Sequence, residues 1–557
     1  MKPVETMERP TSAFAVKLTT VQLPAHAPTN LLGWLPIVWT RVLFPGAIPA
    51  PETWRWKAFA LVFAMSGLLL YPCMSFHLFE PDEGRYAQIP REMLTADEWI
   101  VPTLQGEVYL DKPPLFYWLV MMSYSIFGFH EGAARFVPAL AIHGAVLLTY
   151  LLGRHIVGER SAFWGALLLT VSPIFLGVGR LLVLDGLLTL WVTLALLAAY
   201  LAQAARRFSE PEAQARAHGG ALACASGSEN RLHIGWWGVA ALACGLGVLT
   251  KGPVALVLVL IPLWTQRRLV SSAPISWRAW SAFYGIVLVV NLPWYVAVCL
   301  QRPEFAWYFL WQHNVERFVE PFDHIRPVWF YMPILLFGLL PALLLAWPLT
   351  RFLISTKPHE TNSRCPALGY LLLAGLWCVF FFSLAGSKLP TYLLPAFPPL
   401  CLALGCFVAQ TDWHRSRGLI GLVAACWLLL ACSHYVVIPA YARQRSPMHR
   451  FDELQVRCGD PNVPVLCFPR NVDSVAFYLG RSDFRTYRSK QLDELVQALH
   501  QQPRSVILFG HRNSPQTLQR HLPSHLRMVE PKAMGLCEMA VVERIDRHLS
   551  PRSIIPK

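Results

Sequence analysis

Long apolar runs recur along most of this chain, from Ala58 to about Ala440. A helix needs about 20 apolar residues to cross a hydrocarbon core of roughly 30 Å, and eleven of these runs reach or approach that length. The 557 residues are 54% hydrophobic and only 15% charged, whereas a soluble protein carries roughly a quarter charged residues. We therefore predict a polytopic α-helical membrane protein. The predicted crossings are 58–79, 133–152, 161–179, 182–203, 234–249, 252–266, 280–300, 328–350, 367–386, 389–410 and 418–440.

One further apolar segment, residues 114–129, is too short to cross unaided. Its sixteen residues span only about 24 Å as a helix. If residues 1–57 are cytoplasmic and this segment does not cross, fourteen loop lysines and arginines lie in the cytoplasm; if it crosses, all fourteen lie outside. Basic loop residues concentrate on the cytoplasmic side, so we predict a juxtamembrane or partly inserted helix, within a fold of about 11 to 13 transmembrane helices.

This topology places almost every ionisable residue that is flanked by apolar sequence on one face of the membrane, the face of the first outer loop, 80–132. Ionisable groups near hydrocarbon are costly and usually face a cavity or one another. The arrangement therefore predicts a single polar site at the outer face. Its candidate members are Asp82, Glu83, Arg85, Asp111, Lys112, Arg180, Asp185, Lys251, Arg317 and Lys388.

The chain divides into three predicted regions: a cytoplasmic segment 1–57, a membrane domain 58–440 and a region 441–557 outside the membrane. In the last region, VPVLCF and SVILFG are typical of buried strands, and they alternate with helical patterns, which favours a small α/β domain. The formal net charge of +14 comes mostly from short loops between apolar runs. That distribution is typical of topology signals and does not favour nucleic-acid binding.

The first outer loop contains two charged motifs. In EPDEGRYAQ, Asp82 and Glu83 are adjacent, so on a helix they point about 100° apart and at most one faces a given substrate. An ordinary helix start explains the pair equally simply. In YLDKPPL, Asp111 and Lys112 precede two prolines; they form either a weak salt bridge at the rim or a site where the lysine meets an anionic group.

Five further residues lie near predicted outer turns. Asp185 begins an otherwise apolar helix, where a buried carboxylate without a function is costly. Lys251, in VLTKGPVAL, and Lys388 with Tyr392, in SKLPTYLLP, are either snorkelling lysines or cations for a phosphate. The aromatic stretch 307–318 contains Arg317 and suits either a lid or an interfacial belt.

Four motifs, in this order, carry a family resemblance: EPDEGRYAQIPREML, YLDKPPLFYW, TKGP and SKLPTYLLP. With these motifs the chain resembles, over about residues 58–400, the GT-C glycosyltransferases that use polyprenyl-phosphate sugars, including the protein O-mannosyltransferases and the lipid A aminoarabinose transferases. The resemblance implies transfer of a sugar from undecaprenyl phosphate, with inversion, at the periplasmic face of the bacterial inner membrane. The implied partners are this donor, membrane lipids, and lipid A or another lipid or protein acceptor.

The same resemblance implies roles for individual residues. Asp82 and Asp185 match the family's acidic catalytic positions, while Lys112 and Arg317 match the clamp on the carrier phosphate. The other positions that match the cavity lining or substrate contacts are Glu83, Arg85, Tyr109, Asp111, Lys251, Lys388 and Tyr392.

The sequence departs from the family at two places that bear on cofactors. The family often has Glu where Asp111 stands, and QHN at 312–314 does not reproduce the usual histidine pattern. We therefore predict no metal ligands, although the family resemblance leaves a divalent metal open.

The sequence is compatible with several functions. The sugar and the acceptor are not determined: the expected sugar is 4-amino-4-deoxy-L-arabinose and the expected acceptor lipid A, with another polyprenyl-linked sugar passed to a different glycolipid or to protein hydroxyls as the alternative. A secondary transporter is less favoured, because transporters show repeats and midplane charges. Cys458 and Cys467, outside the membrane part, could form a disulfide in an oxidising compartment.

Overall fold

We describe the fold from a computed structural model, which covers residues 56–72, 74–216, 223–270, 275–320, 324–511, 514–529 and 531–545. The predicted cytoplasmic segment 1–57 therefore lies outside the described residues except at its last two positions.

The described chain is mainly helical up to residue 458, with one two-stranded hairpin in the first loop. That hairpin pairs β1 (Thr103–Leu104) with β2 (Glu107–Val108) in antiparallel register. The α-helices before the C-terminal sheet are Trp56–Leu70, Asp82–Thr95, Leu115–Phe127, Glu131–Leu151, Gly153–Val157, Glu159–Thr170, Pro173–Gly179, Asp185–Arg216, Ala223–Lys251, Val254–Val270, Trp277–Gln301, Glu304–Trp307, Arg317–Val319, Tyr331–Gly338, Ala346–Ile354, Pro358–Ser363, Leu368–Leu384, Phe397–Gln410, Arg417–Cys432, Ile438–Arg445 and Phe451–Cys458.

All eleven predicted crossings coincide with helices or bent helix pairs, which confirms the polytopic helical fold. Among the described residues, six helices are long and apolar enough to span a membrane, and eight if each bent pair counts as one span. This number is lower than the predicted 11 to 13. The difference arises because some apolar helices are short, such as Trp56–Leu70, and because others bend, such as Val328–Gly338 with Ala342–Ile354 at 98°.

The ambiguous apolar segment forms the helix Leu115–Phe127, which begins directly after Pro114. Its thirteen residues reach only about 20 Å, and one face packs into the interior through Phe116, Tyr117 and Val120. The opposite face exposes apolar side chains such as Ile126. A short helix with one apolar exposed face fits the predicted juxtamembrane position.

The C-terminal region contains a six-stranded sheet with helices packed against it. The strands are β3 (Val465–Phe468), β4 (Arg485–Thr486), β5 (Arg504–Phe509), β6 (Leu526–Met528), β7 (Lys532–Met534) and β8 (Cys537–Arg544), and the helices are Asp473–Leu479, Leu492–Gln501 and Ser514–His521. The strand order is β4-β3-β5-β8-β6, and β7 pairs with β8. The predicted strands VPVLCF and SVILFG form β3 and β5, which are parallel, and helices alternate with strands as predicted.

This C-terminal sheet region is attached to the first loop of the membrane domain through the helix Asp473–Leu479. The Tyr478 hydroxyl accepts from the Leu78 amide at 3.1 Å and donates to Glu131 at 2.8 Å. The Gln88 amide group donates to the Arg481 carbonyl at 2.8 Å, and Phe477 packs into the core of the first loop. These contacts hold the sheet region as a wall beside the loop.

Cys458 and Cys467, which the sequence left as possible disulfide partners, are both buried free thiols. The Cys458 sulfur lies 3.9 Å from the sulfur of Met539. Both cysteines therefore act as small core side chains.

Candidate active site

A cavity of about 1540 Å³ lies between the membrane helices, the first loop and the C-terminal sheet region. This volume exceeds the roughly 300–1,000 Å³ of a typical small-molecule site. The residues predicted from sequence that line it are Asp82, Glu83, Arg85, Tyr109, Asp111, Lys112, Asp185, Lys251, Arg317 and Tyr392. Ten separate sequence positions thus converge on one space.

Asp82 and Glu83 are the first two residues of the helix Asp82–Thr95. Their side chains point in different directions, because successive residues of a helix are about 100° apart. Glu83 is buried and accepts from Arg135 at 2.6 Å and from the backbone amides of Phe79 and Leu182, each at 2.9 Å. Arg135, only 1% exposed, also donates to carbonyls of the preceding loop, including that of Met74 at 2.7 Å. The Glu83 carboxylate is therefore engaged in holding the loop in place.

Asp82 lies on the open side of the same helix turn. Its side chain is 44% exposed, and its carboxylate lies 3.7 Å from the Arg85 guanidinium. A partly exposed pair of this kind is weak, so the Asp82 carboxylate is available to a molecule in the cavity.

Asp185 and Lys251 form an ion pair on the membrane side of the cavity. The Lys251 ammonium also sits 4.0 Å from the centroid of the Tyr392 ring, a cation–π contact. The sequence predicted each of these residues separately, and the structure shows that they form one group.

Asp111 and Lys112 contact the aromatic segment 307–318 directly. The Asp111 carboxylate accepts from the Tyr308 hydroxyl, and the Lys112 ammonium lies 2.7 Å from His313 Nε2. Burial, together with nearby Lys251 and Arg317, lowers the pKa of Lys112 to about 7 despite the opposing effect of Asp111.

The donor atoms in this part of the cavity do not fit a divalent metal. Burial and the adjacent Lys112 lower the pKa of His313 to about 3, and its Nε2 faces both the Lys112 ammonium and the Arg317 guanidinium, the latter at 3.4 Å. Within the described part of the chain, no three His, Cys, Asp or Glu side chains group as metal ligands. The Lys112 ammonium and the Arg317 guanidinium would repel a metal cation in this part of the cavity.

Two residues predicted at the polar site, Arg180 and Lys388, do not line the cavity. The Lys388 ammonium is buried and donates to the carbonyls of Ala385 and Arg326, the second at 3.1 Å. The structure therefore does not bring Lys388 together with the other predicted site residues: the lysine anchors the loop that precedes Tyr392. A proline-flanked lysine between apolar segments gives the same sequence pattern in either role.

Sequence reasoning missed a carboxyl pair, the partly buried Glu80 and the buried Asp473, where the first loop meets the C-terminal region. Glu80 accepts from the Ser474 amide at 2.5 Å, and Asp473 accepts from Gln105 at 3.3 Å. The two residues are 393 positions apart, so no local pattern could associate them.

The raised pKa values of this pair predict that the attachment of the C-terminal region depends on pH. Burial and the neighbouring Asp473 raise the pKa of Glu80 to about 8, and burial raises that of Asp473 to about 6, with Arg85 opposing both shifts. A carboxyl whose pKa is raised by folding adds stability at low pH, and that stability is lost as the pH rises through the folded value. We expect the melting temperature of the wild type to fall between pH 6 and pH 9.

The variant Glu80→Gln retains an acceptor for Ser474 and removes most of this dependence. We expect it to gain up to about 5 kcal/mol over the wild type at pH 9, the free energy that corresponds to a pKa raised from 4.5 to about 8, measured by thermal unfolding in detergent. Glu107→Gln, an exposed acid of the nearby hairpin, is the control and should follow the wild type. Parallel pH curves for the wild type and Glu80→Gln would contradict the assignment.

The chain is similar in sequence to a family of known proteins. The model of the family described as dolichyl-phosphate-mannose-protein mannosyltransferase matches residues 54–309. Undecaprenyl phosphate-alpha-4-amino-4-deoxy-L-arabinose arabinosyl transferase 1 of Pseudomonas fluorescens (strain Pf0-1) is 35% identical over 388 residues, 67% of this chain and 61% of that protein. The transferase of the same description from Erwinia tasmaniensis is 30% identical over 419 residues, 70% of this chain and 68% of that protein.

The chain belongs to the undecaprenyl phosphate-aminoarabinose arabinosyl transferase family. This confirms the predicted membership of the polyprenyl-phosphate-sugar glycosyltransferases. The match spans 61% of the Pseudomonas relative and 61% of the one from Edwardsiella ictaluri, less than two thirds of either protein.

The fold of the arabinosyl transferase family also matches. The crystal structure of ArnT from Cupriavidus metallidurans bound to undecaprenyl phosphate aligns with a TM-score of 0.68 at 18% identity, over 87% of this chain and 98% of that chain. This likeness confirms the predicted GT-C fold. The mannosyltransferase model ends at residue 309, before the aromatic segment is complete and before the C-terminal wall of the cavity.

Proposed function

We propose that this protein transfers 4-amino-4-deoxy-L-arabinose from undecaprenyl phosphate to lipid A, at the periplasmic face of the bacterial inner membrane and with inversion at the anomeric carbon. The observation that carries the proposal is one cavity in which an available carboxylate, Asp82, shares space with a group of partly buried cations. The descriptions of its curated relatives give this donor and this sugar.

The cations suit the carrier phosphate, which is the leaving group. Lys112 lies close to two further cationic side chains, Lys251 and Arg317, and all three line the cavity. Fixed positive charge that is already in place where negative charge develops lowers the barrier to group transfer. Lys112 and Arg317 hold the phosphate, while the Asp185–Lys251 pair with Tyr392 shapes the neighbouring wall.

The chemistry requires no general base when the acceptor is a phosphate. A phosphate monoester has a second pKa of about 6 and is already anionic near neutral pH. An acceptor oxygen forms the new bond to the anomeric carbon from the face opposite the carrier, and the electron pair of the broken bond leaves with the undecaprenyl phosphate. Asp82 then positions the sugar, and its carboxylate suits the cationic amino group.

Mass spectrometry of lipid A tests this assignment directly. Purified protein in detergent, given the undecaprenyl-linked aminopentose and lipid A, should yield lipid A carrying the added aminopentose. Lipid A of unchanged mass, with consumption of the donor by another glycolipid or by a protein, would replace the proposed acceptor. Lack of any donor consumption by folded protein would overturn the proposal as a whole.

Binding of the carrier phosphate should depend strongly on Lys112. Because hydrogen bonds to charged groups contribute about 1.5–3 kcal/mol, we expect Lys112→Gln to weaken binding of undecaprenyl phosphate by roughly 10-fold to 150-fold. Equilibrium binding of the lipid phosphate in detergent measures the effect. Lys357→Gln, at an exposed lysine remote from the cavity, is the control, and equal affinities of the two variants would contradict the clamp.

A further inference from the structure

One wall of the cavity belongs to the C-terminal sheet region and has no part in the donor site described above. The groups assigned to the donor, Asp82, Lys112 and Lys251, all belong to the membrane domain and its loops. On the opposite side the lining continues over residues 482–488 and the end of the helix Leu492–Gln501. A transferase needs space for a second substrate, and the cavity is larger than a single sugar phosphate requires.

The chemistry of this wall is basic. Arg485, on the edge strand β4, and Arg488, three residues later, are both exposed and both line the cavity. The nearest acid in sequence is Asp483, whose two carboxylate oxygens already accept from Arg481 at 2.8 and 2.5 Å. Over the described part of the chain, neither Arg485 nor Arg488 forms an ion pair with a carboxylate.

The backbone that presents these two arginines is well anchored. Arg481 donates to the carbonyls of Cys458 and Asp460, each at 2.8 Å, and its own carbonyl accepts from Gln88 of the first loop. The amide of Tyr487, between the two arginines, donates to the Cys467 carbonyl of β3 at 2.9 Å. The wall is therefore tied both to the sheet and to the first loop.

We propose that Arg485 and Arg488 bind the phosphate of the acceptor headgroup and direct it toward the donor sugar. The inference rests on the proposed function and deepens it by assigning recognition of the acceptor phosphate to two residues of the C-terminal wall. Arginine matches phosphate through two parallel hydrogen bonds, which gives orientation as well as attraction. In this arrangement the donor and the acceptor approach each other from opposite walls of the cavity. The acceptor oxygen then reaches the anomeric carbon from the side opposite the carrier phosphate, as inversion requires.

The double variant Arg485→Gln/Arg488→Gln tests the proposal by separating the two substrates. We expect KM for lipid A to rise at least about 10-fold, from the loss of charge-assisted hydrogen bonds, with kcat and KM for the donor within about twofold of wild type. The matched control is Arg520→Gln/Arg527→Gln, two exposed arginines of the same region that do not line the cavity. An unchanged KM for lipid A, or an equal rise in KM for the donor, would overturn the proposal.

A direct measurement of lipid A binding makes the test independent of sugar transfer. Lipid A in detergent micelles should bind the double variant at least about 10-fold more weakly than the wild type, and lipid A from which the phosphates have been removed should bind both equally. If the wild type transferred no sugar, the proposed function would fail, whereas this binding difference would still support the phosphate site. An equal loss of binding to phosphatidylglycerol vesicles would assign the arginines to general attraction for anionic membranes and overturn the site.

Discussion

Replacing Asp82 with asparagine is expected to lower the rate of sugar transfer by roughly 10²-fold to 10³-fold, the usual effect of removing one preorganised polar contact to the transition state. The carboxylate is 44% exposed toward the cavity and has only the weak Arg85 contact. In the proposed role its charge acts on the substrate, and the weak contact means that it contributes little to folding. The measurement is the initial rate of aminopentose transfer in detergent, with the melting temperature taken in parallel.

Asp97→Asn is the matched control for Asp82→Asn. Asp97 is an exposed acid just beyond the end of the same helix, and asparagine tolerates its positive φ of 52° and can still accept from Trp99. We expect the control to retain the wild-type rate. A positioning role for Asp82 also predicts that its variant keeps the pH profile of the wild type at a lower rate. Full transfer by Asp82→Asn would rule out the assignment.

Replacing Arg135 with methionine is expected to destabilise the folded protein by about 3–5 kcal/mol, because it leaves the buried Glu83 carboxylate without its partner. The two side chains are only 1% and 3% exposed, and the same guanidinium also binds loop carbonyls, including that of Met74. The loss should appear as a large fall in melting temperature in detergent. Arg160→Met, at an exposed arginine outside the cavity lining, is the control and should melt as the wild type does.

The double variant Glu83→Gln/Arg135→Met separates the pair from the loop contacts. With both charges removed, no uncompensated charge remains buried, so we expect it to be more stable than Arg135→Met alone. Since the loop carbonyls still lack their donor, it should remain less stable than the wild type. Equal melting temperatures for Arg135→Met and the wild type would show that the pair does not hold the loop.

The sequence alone determined the helical architecture and much of the site. Apolar run length is a local property, because each helix satisfies its own backbone hydrogen bonds, and so the predicted crossings fall on helices. The adjacency of Asp82 and Glu83 likewise determined that they point in different directions. The high cost of charge near hydrocarbon explains why polar residues between apolar runs converge on one cavity.

Tertiary structure decided what each polar side chain contacts. The ion pairs Glu83–Arg135 and Asp185–Lys251 join residues 52 and 66 positions apart, and Lys112 meets His313 across 201 positions. Lys388 matched the same pattern as Lys251, yet its ammonium binds backbone carbonyls outside the cavity. The sequence indicates which polar and charged groups must avoid contact with hydrocarbon. The partner of each group depends on how the chain packs, because hydrogen bonds and ion pairs act over only a few ångströms.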